Sequence, residues 1–236
     1  MDTTVDTRQG FPGAAASGRK VTEQERVYLQ LRDDLLAGAI SPLVRITEMR
    51  VAERYSVSRT PARDALARLR ADRLLAFRDG ALYRYMPTRK ELSDLYELRV
   101  TLERQGIVRC TGGADTVHDT ALIEDELALW HERKSQGVTP DAGFVTADEQ
   151  FHLTLLLASG NTEMVEILKG VNQRIRSVRM HDYLTQDRIN STIDEHLEIG
   201  ELVLTGRLLE ALEALESHIG ESQTVSLARA TDSFSL

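Results

Sequence analysis

Cysteine is almost missing from this chain. The single thiol, Cys110, has no partner for an intrachain disulfide, and one cysteine cannot build a Cys-rich zinc site. Such a chain suits a reducing compartment. Long hydrophobic runs are missing too, since no stretch of about 18 apolar residues is there to span a bilayer. The first residues lack the basic start and apolar stretch of a secretory signal. The expectation is a cytoplasmic protein with no membrane partner. No repeat of fixed period is found, which disfavours a helical solenoid.

What is present is most informative between Val57 and Arg70, where arginines and small polar residues crowd one end of an amphipathic helix. Leu66 and Leu69, with Val57, Ala62 and Ala65 near them, follow the spacing of a stripe turned toward a core. Arg59, Thr60 and Arg63 lie around the first turns. Ser58 is placed to cap the helix, and Pro61 sits early enough to remove little intrahelical bonding. Arginines at the positive end of a helix dipole cost some stability but suit an end that meets phosphates. Two earlier helices, Gln24 to Ala39 and Thr47 to Tyr55, precede the turn at Ser56-Val57. After the basic helix, Leu74 to Phe77 and Ala81 to Met86 flank Arg78-Asp79-Gly80, a β-hairpin that would serve as a wing. The pattern is that of a winged helix-turn-helix that reads double-stranded DNA.

The overall formal charge is −8, but the acid is unevenly spread. Residues 20–88 hold 13 Lys and Arg against 9 Asp and Glu, whereas residues 89–236 hold 14 against 26. Only the first of these two modules is suited to approach DNA. The expected organisation is a disordered tail over residues 1–20, a DNA-binding domain over 21–87, a helical domain over 88–230 and a short tail over 231–236.

Here the chain resembles the GntR family of bacterial transcription regulators. The family signature reads roughly V-S-R-T-P-V-R-E-A-L-x-R-L, and this chain has V-S-R-T-P-A-R-D-A-L-A-R-L. The resemblance implies base-edge and phosphate contacts from Ser58, Arg59, Thr60 and Arg63, with Gly80 at the wing tip beside the minor groove. Many members carry an arginine directly after the glutamate of the second helix. Here Glu48 is followed by Met49, and Arg50, the remaining candidate, comes one place later.

Beyond Met86-Pro87-Thr88 the pattern is helical almost to the end. Candidate helices run near 89–111, 115–136, 141–158, 162–183, 187–205 and 207–228, broken by Gly112-Gly113, Gly137 with Pro140, Gly160-Asn161, Thr185 and Gly206. The fold class expected is mostly α: a winged helix-turn-helix followed by an all-α antiparallel bundle. Polar residues stand on the apolar stripes of three of these helices. Asp148 and His152 share a face with Val145, Leu155 and Leu156; His196 stands among Ile189, Ile193, Gly200 and Val203; His218 stands among Leu208, Ala211, Leu215 and Ile219. One carboxylate and three imidazoles aimed into a bundle can hold a metal ion, or each histidine can be a satisfied core residue.

The acidic half resembles the FadR C-terminal domain, FCD, whose metal-binding members show D-x-x-x-H on one helix and single histidines on two later ones. Asp148-Glu149-Gln150-Phe151-His152, Glu195-His196 and Ser217-His218 fall in that pattern. The resemblance implies one divalent metal ion per chain, Zn, Ni, Mn or Fe, on Asp148, His152, His196 and His218. It also implies a small carboxylate effector beside the ion, gripped by Arg99, although Arg99 is equally placed to pair with Glu103 four residues on. His118, His131 and His181 match no ligand position and read as surface or structural. The reading is a homodimeric, effector-controlled regulator, more often a repressor than an activator, without catalytic activity. Two alternatives stand beside it: a metal-dependent hydrolase with Glu149 or Glu195 as general base, and a regulator that senses the metal itself.

Overall fold

The computed structural model describes residues 22–111 and 117–233. Helix α1 (Glu23–Leu36) starts at Thr22, whose hydroxyl accepts from the Glu25 N–H at 3.2 Å. It ends three residues sooner than the periodicity suggests, because Gly38 takes a positive φ of 75°. Thr47 caps α2 (Glu48–Tyr55) in the same way as Thr22 caps α1. Ser56, left-handed at φ 53°, turns the chain into α3 (Arg59–Ala71).

Ser58 does occupy the cap position of α3 with extended backbone, but its side chain makes no capping bond. The physical reason lies in Pro61. It stands at the third helical position, where a capping hydroxyl commonly finds its N–H, and proline has none to give. Strands β1 (Leu75–Arg78) and β2 (Ala81–Arg84) pair antiparallel, with Arg78 opposite Ala81. The two-residue Asp79-Gly80 loop has φ of 47° and 78°, the left-handed pair that matches hairpin twist. Ile46 donates its N–H to the Leu82 carbonyl at 2.8 Å and so ties the wing to the segment before α2. Val27, Leu31, Leu35, Val51, Ala62, Leu66, Leu69 and Leu75 form the core of this half.

Among the described residues six helices follow: α4 (Arg89–Val108), α5 (Thr120–Gln136), α6 (Phe144–Ala158), α7 (Thr162–Arg179), α8 (Gln186–Leu204) and α9 (Leu208–Ser233), with a 3-10 turn, Asp182–Leu184, after α7. Thr88 and Glu91 start α4 with reciprocal cap bonds. Helix α4 lies against α9, α5 against α8, and α6 against α7. Trp130, Phe151, Ile175, Ile189 and Leu215 lie at the centre of their common core. The break at Gly112-Gly113, the tail over 1–20 and residues 234–236 lie outside the described residues. Where a tail was expected from 231, α9 instead continues to Ser233, because no glycine or proline follows Gly220 to stop it. Among the described residues no helix is long and apolar enough to cross a membrane.

The two halves touch. Helix α7 packs on α1, the Tyr85 hydroxyl accepts from Arg174 Nη2 at 3.3 Å, and Met180 lies beside Gly38. Inside the bundle α5 and α8 meet at Gly200, where an added Cβ would stand 2.5 Å from Leu127 Cδ2 and 3.0 Å from its Cγ. Gly200→Ala should therefore lower stability by about 1–3 kcal/mol through overpacking. Denaturant unfolding checks this, and an unchanged midpoint would mean that α5 retreats without cost.

Candidate metal centre and nucleic-acid interface

Asp148 and His152 stand one turn apart on α6, His196 on α8 and His218 on α9, and all four side chains are buried. One ligand atom from each lies within 4.8 Å of all the others. Nε2 of His218 is 3.2 Å from Nε2 of both His152 and His196, and Oδ1 of Asp148 is 3.5–3.9 Å from the three ring nitrogens. The rings are held from outside this cluster. Glu103 accepts from His152 Nδ1 at 2.5 Å, Glu195 accepts from His218 Nδ1 at 2.5 Å, and His196 is stacked on Phe151 with Trp130 against its edge.

These outer bonds decide the chemistry within. A ring that gives its Nδ1 proton to a carboxylate presents a bare lone pair at Nε2 unless it is fully protonated. Burial pushes the His218 pKa down to about 4, more than the Glu195 hydrogen bond and the nearby Asp148 can restore. His196 is likewise held well below its ordinary value by burial and then by His218. The Nε2 atoms of His152 and His218 thus face one another across 3.2 Å, and two bare lone pairs at that distance repel unless a proton or a cation lies between. The donor set of three imidazoles and a carboxylate fits Zn, Ni, Mn or Fe.

Two further charged residues complete the cluster, Arg179, which the sequence reading passed over, and Glu103, which it named only as a partner for Arg99. Arg179 on α7 is fully buried and bonds Asp148 Oδ2, while the Tyr183 hydroxyl donates to Asp148 Oδ1 at 2.7 Å. Burial would raise the Asp148 pKa, but Arg179, followed by the imidazoles, holds it well below the carboxylate range. The same stripe test that picks out Asp148 finds Arg179, since Leu168, Val171, Asn172, Ile175 and Arg179 share the inner face of α7. Glu103, on α4, is the other. Burial pushes its carboxyl up, yet His152 and Arg99 beside it outweigh that and leave it at about 2.

Arg99 meets both of the roles weighed for it halfway. Its Nε donates to Glu103 at 2.7 Å, whereas Nη1 and Nη2 are buried without a partner among the described residues. Arg179 Nε and Nη1 are buried and unpartnered as well. The two carboxylates considered as general bases are both engaged, Glu149 by Arg176 and Glu195 by His218. His131 is exposed 3.7 Å from Glu201, His181 is exposed, and His118 is part-buried, so none of the three joins the centre.

On the other half, Arg59, Thr60 and Arg63 are exposed on the first turns of α3, and Gly80 lies at the hairpin tip. Arg50 turns back to donate to the Arg45 carbonyl at 3.0 Å. Between α3 and the wing runs a cleft of ≈ 320 Å³ lined by Arg45, Glu48, Arg63, Arg70, Phe77 and Gly80. Arg45, Arg70 and Phe77 were not singled out from sequence. Phe77 stays 59% exposed although it shares a face of β1 with the buried Leu75, because it stands two residues nearer the hairpin tip.

A model of the FCD domain matches residues 94–221, and a model of the bacterial regulatory proteins of the gntR family matches residues 23–81. The Nta operon transcriptional regulator of Aminobacter aminovorans is 32% identical over 180 residues, 75% of this chain and 82% of that protein. The HTH-type transcriptional regulator YdhC of Bacillus subtilis is 28% identical over 177 residues, 75% of this chain and 78% of its own. A crystal structure of a GntR transcriptional regulator from Rhodococcus sp. RHA1 superposes with a TM-score of 0.71 at 25% identity, covering 87% of this chain and 97% of that one.

The depressed histidines fix the acid response of the metal-free protein. The unfolded chain takes up protons near pH 6.5, whereas folded His218 resists until about 4, so stability is full above 6.5 and falls as pH drops toward 4. Glu103 adds a loss of the same sign between about 4.5 and 2. Denaturant midpoints of chelator-treated protein between pH 7.5 and 4 should fall accordingly, and His218→Asn should flatten the upper part of the curve. A midpoint independent of pH in that range would contradict the assigned protonation.

Proposed function

Since the chain belongs to the GntR family of bacterial regulatory proteins and carries the FCD domain, a family of DNA-binding transcription regulators rather than enzymes, we propose that it is a cytoplasmic, homodimeric repressor controlled by a small carboxylate. The observation that carries this reading is the buried cluster of three ring nitrogens and one carboxylate oxygen within 4.8 Å. Asp148, His152, His196 and His218 would hold one divalent ion per chain. When bound, the ion supplies Lewis-acid positions that a carboxylate can occupy.

This chain's own residues provide the rest. Arg99 has two guanidinium nitrogens without partners inside the bundle, a bidentate edge suited to a carboxylate. The apolar ring of Trp130 and Phe151 around His196 keeps the site dry, which strengthens each charge–charge contact there. A signal can leave along α7. Its Arg179 grips Asp148, its Arg174 bonds Tyr85 just past the wing, and the next residue, Met180, lies beside Gly38 at the end of α1. Dimerisation follows from what one recognition helix can do, since it reads a half-site and a two-fold pair reads a palindrome.

Purified protein should carry close to one divalent ion per chain by elemental analysis. His196→Ala should remove most of it while helical circular dichroism persists, and retained metal would reject His196 as a ligand.

The regulatory step is tested by linkage. A panel of small carboxylates, among them acetate, lactate, malonate and citrate, is titrated into metal-loaded protein bound to a duplex enriched from genomic fragments. One of them should shift DNA affinity roughly 5–150-fold, as is typical of allosteric coupling. Arg99→Ala or removal of the metal should abolish the shift. DNA affinity that follows the metal and ignores every acid would instead make the protein a metal sensor.

A further inference from the structure

The arginines at the start of the recognition helix are already engaged in the unbound protein. Both are held by Glu48, the first residue of α2. Arg63 donates from Nε to Glu48 Oε1 at 2.9 Å and from Nη2 to Oε2 at 3.3 Å, and Arg59 Nη2 reaches Oε2 at 3.3 Å. Arg63's hydrogen bond is the largest of the influences that hold the Glu48 carboxyl below its ordinary range, so it is ionised at neutral pH. A carboxylate in the mouth of the cleft between α3 and the wing has the wrong charge for a surface that meets phosphates.

The geometry of the guanidinium gives that carboxylate a use. Arginine has a side edge, Nε with one Nη, and an end edge, Nη1 with Nη2. Glu48 occupies the side edge of Arg63. Nη1 has no partner among the described residues, and Nη2 keeps a second N–H. The end edge left over is the one that matches O6 and N7 of guanine in the major groove. Without Glu48, a side chain as exposed as Arg63 would sample many rotamers and lose that freedom on binding.

We propose that Glu48 is a positioning residue for base readout, which holds the guanidinium of Arg63 end-on to the groove and penalises any docking in which Arg63 or Arg59 turns away to phosphates. The inference rests on the DNA-binding reading and concerns its selectivity. On a matched sequence Arg63 keeps Glu48 while reading the base. On a mismatched one it must swing to a phosphate, and Glu48 is left unpaired against a polyanion. The carboxylate therefore weakens binding to random duplex more than binding to the operator.

Full-length protein, a duplex that it enriches from a randomised pool, and a scrambled duplex of the same composition provide the test. Glu48→Gln and Glu48→Ala should tighten binding to the scrambled duplex and lower the ratio of the two affinities by about tenfold, the order of one bidentate base contact. In an Arg63→Ala background, Glu48→Ala should change the ratio by no more than about twofold, because the group it positions is gone. Equal tightening on both duplexes would overturn the proposal and make Glu48 a general repulsive charge. So would an undiminished loss of ratio in the Arg63→Ala background. Weaker binding to both duplexes together with a lower thermal midpoint would make Glu48 a brace for α2 and likewise overturn it. If the wild-type protein enriches no duplex at all, the DNA-binding reading falls first and this inference with it.

Discussion

The interior of the bundle is arranged around one ionised carboxylate. Asp148 is fully buried, and an isolated charge in that position would simply take up a proton. It stays ionised because Arg179, the Tyr183 hydroxyl and three imidazoles all face it. Leaving such a buried charge without its main partner costs about 3–5 kcal/mol, which is a large share of a domain's stability. A chain of alternating groups extends the arrangement in two directions. Arg99, Glu103 and His152 run one way, and His218, Glu195 and Arg188 run the other. Each member orients the next, so the two Nε2 atoms that meet at the centre are aimed there by residues lying outside it.

The two halves of the chain solve opposite problems. The winged helix-turn-helix has a small apolar core and, the buried Arg84 apart, puts its charges outside, where Arg59 and Arg63 are held by one partly exposed acid. Surface pairs of this kind add little to stability, and their value here lies in direction rather than strength. The bundle instead buries charge at its centre and surrounds it with aromatic rings, where the same kind of pair is costly to break. One half presents charge to a polyanion, and the other, in the function proposed for it, would respond to what its buried charges contact.

How much of this is legible in the sequence depends on how local the cause is. Helix positions and the hairpin follow from periodicity and from Thr47, Thr88 and Asp79-Gly80, whose effects act within a few residues. Boundaries drift where a distant or covalent effect intervenes. Pro61 removes the donor that Ser58 would cap, and Gly38 ends α1 early. The four polar residues on apolar stripes are visible because burial of charge is improbable without cause. Arg179 obeys the same rule and is missed only because arginine on a helix is usually a solvated face. Glu48 is different in kind. Its partners lie 11 and 15 residues away on another helix, and no spacing rule connects them.

Communication between the halves needs an element that touches both sites and has reason to move. Helix α7 meets the first condition through three residues near its end. Arg174 bonds Tyr85, Arg176 lines a cleft of ≈ 220 Å³ against Arg32 and Leu36 of α1, and Arg179 holds Asp148. Those positions lie within two helical turns, so a displacement at Arg179 is not lost over distance. The second condition follows from the chemistry of Asp148. A carboxylate that gains a stronger partner on one side releases part of its hold on the other, and the other side is Arg179. Because Met180 follows it directly and lies beside Gly38, the proposed control would pass from that buried carboxylate to the contact between the end of α7 and the end of α1.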